Sequence, residues 1–161
     1  MSLIKDTLHT STITEELNEA EVDIIAELFE VQNFKAGQAI VRPGVDQPDN
    51  LYILAHGEIQ VMIQSHDGEA AIHVLKPGDL AGIITFAGGA SAHISATLSA
   101  IGDTKVLSMP REKFETLINS HPMIVYKVMR GVVRDVHGIV RRMNAQSAEL
   151  SNYIYRVHGR Y

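Results

Sequence analysis

Three regions of the chain differ in the spacing of their hydrophobic positions. In the first, apolar residues recur at steps of three and four, and Asn18 followed by Glu21 is typical of a capping box. This pattern predicts one short amphipathic helix that begins at Asn18 and closes by about Glu30. Residues 1–17 lack such a pattern, and we expect them to form a loose N-terminal arm.

The second region carries short apolar runs separated by turn-forming residues. These runs lie at residues 39–41, 51–54, 59–63, 71–75, 95–100 and 105–109. Between two of them, Ser65-His66-Asp67-Gly68 is typical of a tight β-hairpin. Strands at this spacing predict an antiparallel β-barrel or sandwich, and the flanking helices make the fold class α+β.

The third region, from Pro110 onward, is helical again. Residues 111–119 predict a short helix, and Pro122 suits the first turn of the next one. In that long helix, ten positions follow alternating steps of four and three, and all but Gln146 are apolar. They are Val125, Met129, Val132, Val136, Ile139, Met143, Gln146, Leu150, Tyr153 and Val157. This pattern is typical of a coiled-coil seam and predicts a homodimer that pairs through the helix.

Neighbours of the seam suggest further contacts of the long helix. Val133 and Val140 widen the apolar stripe, so we expect the helix to pack on its own β-barrel as well. Gly131 and Gly138 each cost about 1 kcal/mol of helix propensity relative to Ala, and we expect them to permit a close approach. Four basic residues are expected on a solvated outer face: Lys127, Arg130, Arg134 and Arg141.

Composition narrows the function classes. The 161 residues carry 14 basic and 19 acidic side chains and no cysteine, which excludes disulfide scaffolds, thiol nucleophiles and iron–sulfur sites. Apolar runs fall far short of the roughly 18 residues that span a bilayer, so we expect a cytoplasmic protein without a membrane partner. Residues 111–161 are basic and residues 1–110 acidic. We interpret the basic excess as a solvated helix face in preference to a nucleic-acid arm.

Specific residues carry a family resemblance. In the strands they are Phe34-Lys35-Ala36-Gly37, Ile40-Val41, Gly44, Asp46, Asp49, Leu51-Tyr52-Ile53-Leu54, Gly57, Ile59 and Val61. With the order of helix, β-roll, short helix and long helix, they resemble the cyclic-nucleotide-binding domain of the catabolite activator protein family. Pro77-Gly78-Asp79-Leu80 followed by Gly82 is similar to the start of that family's phosphate-binding cassette, and Ser95-Ala96-Thr97 to its exit strand.

The resemblance covers about residues 14–145 and implies a jelly-roll-like antiparallel β-roll. It implies three parts in the chain. We expect an N-terminal arm at residues 1–17, the roll with flanking helices at 18–121, and a long dimerisation helix at 122–158.

The resemblance also implies how a ligand is held, and two of the family's contacts are missing. In the family, a Glu directly after the cassette Gly accepts from the ribose hydroxyl, and an Arg near the exit pairs with the phosphate. Here Ile83 follows Gly82, and Ile94 occupies the expected Arg position. A charge-assisted contact of this kind is worth about 1.5–3 kcal/mol. We therefore expect no tight binding of cAMP or cGMP, and no other cofactor.

Candidate pocket residues follow from the same segment. They are Gly82, Ile83, Ile84, His93, Ser95, Ala96 and Thr97. The two isoleucines favour a neutral or hydrophobic small molecule, or else they fill the pocket. An imidazolium at His93 would partly replace the missing Arg; the alternative is an ordinary surface-loop histidine.

The sequence shows no catalytic motif. The eight histidines include no His-x-His pair of a cupin metal site, and there is no nucleophile elbow, phosphate loop or zincin helix. We therefore expect neither catalysis nor a metal. The few residues after the long helix leave no room for a DNA-reading head, so we expect no sequence-specific DNA binding.

Together these patterns predict a homodimeric regulatory or sensor module that responds to a small-molecule effector. Two alternatives remain open. One is a pocketless scaffold that recruits another protein, and the other is a weak cyclic-nucleotide binder that uses backbone contacts and His93.

Overall fold

A computed structural model describes residues 2–42, 49–88 and 96–158. Its helices are α1 (Leu3–Leu8), a 3₁₀ turn (Thr12–Thr14), α2 (Glu19–Ala26), α3 (Ile83–Gly88), α4 (Arg111–Glu115), α5 (Leu117–Ser120) and α6 (Pro122–His158). Its strands are β1 (Glu30–Phe34), β2 (Ala39–Val41), β3 (Asn50–His56), β4 (Ile59–Ser65), β5 (Gly68–Leu75), β6 (Leu80–Ala81), β7 (Ala96–Ala100) and β8 (Thr104–Pro110). No helix in these ranges has both the length and the apolar character needed to cross a membrane.

The described strands form two four-stranded antiparallel sheets. One sheet has the order β1-β8-β3-β6 and the other β2-β7-β4-β5. The α+β fold with an antiparallel β-roll is therefore confirmed. The predicted hairpin is also present, because Ser65 pairs with Gly68 across a two-residue turn.

Alternation along β3 separates two hydrophobic cores. Tyr52 and Leu54 point into the interior of the roll, between the two sheets, where they meet residues such as Ile59 and Leu98. Leu51 and Ile53 point to the opposite face and pack against the helices. The molecule therefore has a roll interior and a helix-side core, with one sheet between them.

Helix boundaries follow local hydrogen bonding. Asn18 and Glu21 exchange side-chain hydrogen bonds with each other's backbone N–H, which confirms the predicted capping box. Helix α2 ends at Ala26, earlier than predicted, because the chain turns there and Glu30 begins a strand. The short helix predicted at residues 111–119 is divided into α4 and α5.

The N-terminal segment is packed, so the expectation of a loose arm at residues 1–17 is wrong. Leu8 and Ile13 are fully buried in the helix-side core. Gly131 of α6 permits this packing, because a Cβ there would lie 2.5 Å from the carbonyl oxygen of Thr12. The close approach expected at Gly131 is confirmed, whereas Gly138 has open space around it.

Three of the four basic residues expected on a solvated outer face of α6 instead form ion pairs with acids in the first 21 residues, whereas Arg141 is exposed as expected. Lys127 Nζ lies 3.0 Å from a carboxylate oxygen of Glu21, and Arg130 Nε lies 3.0 Å from Glu16. Arg134 reaches both Glu16, at 2.9 Å, and the neighbouring Glu15, at 3.0 Å. Much of the charge asymmetry of the chain is thus intramolecular pairing. The sequence could not show it because the partners are more than 100 residues apart.

Candidate functional site

The cassette begins at a tight junction between β6 and α3. Gly82 lies between them with a φ of 76°. A Cβ at this position would meet the carbonyl oxygen of Asn50 at 2.5 Å, so only glycine allows the backbone to pass β3 this closely. The turn before β6 is fixed as well, because Asp79 accepts a hydrogen bond from the backbone N–H of Lys76. The start of the cassette is therefore held firmly against the sheet.

Ile83 lies in the helix-side core. Its side chain is buried together with Phe86, which contacts the ring of Phe114 at 5.3 Å between centroids. The position at which the family resemblance implies a ribose-binding Glu thus carries an apolar side chain packed among helices. Both earlier interpretations of Ile83, lining the pocket or filling it, are replaced by this packing role.

Other predicted pocket residues are placed as follows. Ile84 is the second residue of α3, but its side chain is not among those the structure describes. His93, Ser95 and the Ile94 position of the missing Arg lie outside the described residues. Ala96 and Thr97 begin β7, and the structure separates them.

The register of β7 sends Ala96 and Thr97 to opposite faces. Leu98 pairs with Val61 and is buried inside the roll, so Ala96 shares this inner face. Thr97 points outward, and its Oγ1 lies 3.4 Å from a carboxylate oxygen of Glu69. Of this pair, only Ala96 faces the roll interior.

Strand β5 contributes an inner-face histidine that the sequence analysis did not select. Leu75 pairs with Ile59, and both are buried in the roll interior. Two residues before Leu75, His73 pairs with Val61 and therefore shares the inner face, yet its side chain is exposed. The alternation from Leu75 is the signal that points to it. On β5 the inner face is thus buried at Leu75 and exposed at His73, and this exposed end of the inner face is here called the mouth of the roll.

Helix α6 carries two apolar stripes, one buried and one exposed. The buried face includes Ile124, Val128 and Val132, all at most 3% exposed and packed in the helix-side core. Beside it, a second stripe of exposed apolar residues runs along the helix, at Tyr126, Val133, Val136, Val140, Met143, Leu150 and Ile154. Together with Met129 and Ser147, these positions follow steps of three and four without interruption.

The exposed stripe differs from the predicted seam in every second position. Val136, Met143 and Leu150 belong to both, as does Met129, which packs partly against the core. Val132 is buried in its own domain, and Val125 packs partly against the same core. Ile139 of the predicted seam is half-buried, and its neighbour Val140 belongs to the exposed stripe instead. At every second position, the exposed stripe therefore uses the residue that directly follows the one in the predicted seam. That residue lies about 100° further around the helix.

Two carboxylates on or near α6 have pKa values that are shifted in opposite directions. Hydrogen bonds from Arg134 and then Arg130 hold the pKa of Glu16 below its usual range. Burial raises the pKa of Asp135, and the negative charge of Asp79 raises it further, against an opposing effect of Arg142. The arginines of α6 thus attract the N-terminal segment through Glu16. By contrast, the ionised form of Asp135 is disfavoured, in part because Asp79 lies in the turn that precedes the cassette.

Comparisons with known proteins agree with this architecture. The HTH-type transcriptional regulator Cmr of Mycobacterium tuberculosis is 28% identical over 120 residues, which are 74% of this chain and 48% of that regulator. The Thermus thermophilus catabolite activator protein gives a TM-score of 0.69 at 25% identity, covering 85% of this chain and 63% of that chain. A cyclic nucleotide-binding domain from Methylobacillus flagellatus gives a TM-score of 0.79 at 17% identity, covering 89% of this chain and 80% of that one.

The chain spans about half the length of the mycobacterial regulator. The family model described as "Cyclic nucleotide-binding domain" matches residues 31–121, which extend from β1 to the end of α5 and include the cassette. This match covers more than half of the chain. The protein therefore belongs to the cyclic nucleotide-binding domain family.

Proposed function

We propose that this chain is a non-catalytic regulatory module that pairs with a second copy through α6 and receives a small effector in the mouth of its roll. The single observation that supports it best is the exposed apolar stripe of α6. The apolar side chains of the stripe from Val133 onward are already exposed, so pairing requires no rearrangement of the domain core. A second copy is the fitting partner because its own stripe offers the same heptad spacing.

The far part of α6 strengthens the argument for pairing. From Arg141 to Ile154 every residue is exposed, so about 20 Å of helix buries no side chain against its own domain. An isolated helix of this length is marginal in water, and tertiary or partner contacts supply most helical stability. A paired seam provides such contacts over the whole projecting segment.

Two substitutions in the projecting segment test both the dimer and its seam. Ile154 lies on the exposed stripe, and Tyr153 lies on the seam that the sequence predicts; both are exposed, at 48% and 66%. We expect Ile154→Lys to raise the dimer dissociation constant about tenfold or more, because a charge in the seam disfavours pairing. Tyr153→Lys should leave it nearly unchanged. Light scattering coupled to size exclusion over a dilution series measures the difference.

Other outcomes of this experiment have clear meanings. A monomeric parent protein at all concentrations contradicts the proposed pairing. If Tyr153→Lys raises the dimer dissociation constant more than Ile154→Lys does, the seam lies at the positions that the sequence predicts.

The effector part of the proposal rests on the cassette. Ile83 has a hydrocarbon side chain without an acceptor for a ribose hydroxyl, and it packs in the helix-side core. We therefore expect weak binding or none for cAMP and cGMP, compared with family members that keep both charged contacts. A thermal-shift titration with these nucleotides and a panel of small metabolites tests this expectation. A ligand at 100 times its dissociation constant stabilises the protein by about 2.7 kcal/mol.

Two results of the titration would change the proposal. A strong response to a cyclic nucleotide overturns the inferred loss of affinity. If no compound of the panel shifts the melting temperature, the result favours the alternative function of a pocketless scaffold, in which the roll only supports α6.

A further inference from the structure

Three neighbouring strands define the chemistry of the roll mouth. Their inner-face positions alternate along each strand, as the pairing register shows. They are Ile59, Val61 and Ile63 in β4, Ala96, Leu98 and Ala100 in β7, and Ala70, His73 and Leu75 in β5. Within these nine positions, His73 carries the one polar side chain. The mouth is therefore an apolar surface with a single imidazole at its rim.

The inner-face positions near this imidazole carry small or exposed side chains. Ala70 and Ala96 pair with Ile63 from either side, so two small residues flank one larger one at the open end of the inner face. Ile63 is half-buried, whereas Ala70 and His73 are exposed. Strand β5 also has an extra residue here, because Val61 pairs with His73 and the next residue, Met62, pairs with Ala71. Such a bulge bends the strand locally and re-aims side chains, as is frequent next to binding sites.

We propose that His73 is the polar anchor of the effector site, and that the ligand is a small, largely apolar molecule with one strong hydrogen-bond acceptor, such as a carboxylate or sulfonate. This proposal rests on the proposed effector function and specifies its ligand class. A neutral imidazole always offers one N–H donor, and the protonated form offers two. Apolar walls favour a ligand that needs little hydration, and one donor matches one acceptor.

The probe for this test is 8-anilinonaphthalene-1-sulfonate, a small apolar molecule with a single sulfonate. We expect a saturable site whose dissociation constant rises about tenfold in His73→Ala, because a hydrogen bond to a charged acceptor is lost. His73→Gln retains an N–H donor and should recover part of the affinity. The matched control is His66→Ala, which removes an exposed histidine from the turn of the same hairpin.

A second readout locates the probe, since the α6 stripe also presents apolar surface. In protein with ¹³C-labelled histidine rings, the ring signals of His73 should shift on titration while those of His66 stay in place. Unchanged affinity in His73→Ala, or an unmoved His73 signal, overturns the proposal. Light scattering on the same samples tests the α6 dimer separately from the His73 ligand site. If the protein is a dimer but His73→Ala does not change probe affinity, the ligand assignment is wrong and the proposed pairing stands.

Discussion

The two halves of α6 share one heptad rhythm but lie in different surroundings. Up to about Val140 the helix is packed on one side, where Ile124, Val128 and Val132 complete the helix-side core. From Arg141 onward all described side chains are exposed. The first half is therefore a structural element of its domain, whereas no described side chain of the second half is buried in that domain.

This difference explains why the predicted seam is partly displaced. In the first half a buried and an exposed apolar stripe lie side by side, and a search for steps of three and four selects positions from both. Val132 belongs to the core stripe and Val136 to the exposed one, although they are four residues apart. In a globular protein, heptad spacing alone does not distinguish a stripe that packs on its own core from one that packs on a partner.

The largest contrast between the halves should come from truncating one apolar residue in each. Ile124 is 2% exposed in the core, so Ile124→Ala should lower the free energy of unfolding by about 2–5 kcal/mol. Leu150 is 60% exposed, so Leu150→Ala should change that free energy by no more than about 0.5 kcal/mol in the monomer, while weakening the dimer. Urea unfolding of dilute protein measures both. Equal losses from the two substitutions would contradict the division of the helix.

A second contrast uses two glycines seven residues apart. At Gly131 a Cβ would lie 2.5 Å from the Thr12 carbonyl oxygen and 2.6 Å from the Ile13 Cα. Because backbone must move, Gly131→Ala should destabilise the domain by about 1–3 kcal/mol. Gly138 has open space at the same point, so Gly138→Ala should stabilise it by up to about 1 kcal/mol through helix propensity. Thermal unfolding of both variants should therefore shift in opposite directions.

Local patterns predicted much of the fold. The capping box at Asn18 and the hairpin turn between Ser65 and Gly68 depend on residues close in sequence, and both are present. The features that were missed depend on distant partners. The contact of Arg134 with Glu15 and Glu16 joins opposite ends of the chain, and no periodicity reveals it.

The candidate site was harder to predict for a related reason. A resemblance to the cassette identifies Ile83 and Thr97 by position, but orientation depends on the core and on strand register. Ile83 is buried among helices, and Thr97 points outward from its sheet. His73, which faces the mouth, was left out because a scattered histidine has no motif. Alternation from Leu75 indicates its face, and its pairing with Val61 establishes that face.

The charge contacts of the first half of α6 predict a smaller, pH-dependent effect. Hydrogen bonds from Arg134 and Arg130 lower the pKa of Glu16 in the folded protein. This contribution to stability is present above the ordinary carboxylate range and is lost as the pH falls through the lowered pKa. Glu16→Gln should therefore destabilise the domain at pH 7 and have little effect at strongly acidic pH. Glu27→Gln, at an exposed acid after α2, is the control and should have little effect at either pH.

Asp135 should show the opposite and smallest effect. Burial, and next the charge of Asp79, raise the pKa of this half-buried carboxylate. Its ionised form is therefore disfavoured on folding, so Asp135 destabilises the protein at neutral pH and ceases to do so as the pH falls below the ordinary carboxylate range. We expect Asp135→Asn to raise the melting temperature slightly at pH 7, and the two melting curves to converge in acid. If Asp135→Asn lowers the melting temperature at pH 7, the carboxylate stabilises this part of the helix, and the contact of α6 with the turn that precedes the cassette is attractive rather than repulsive.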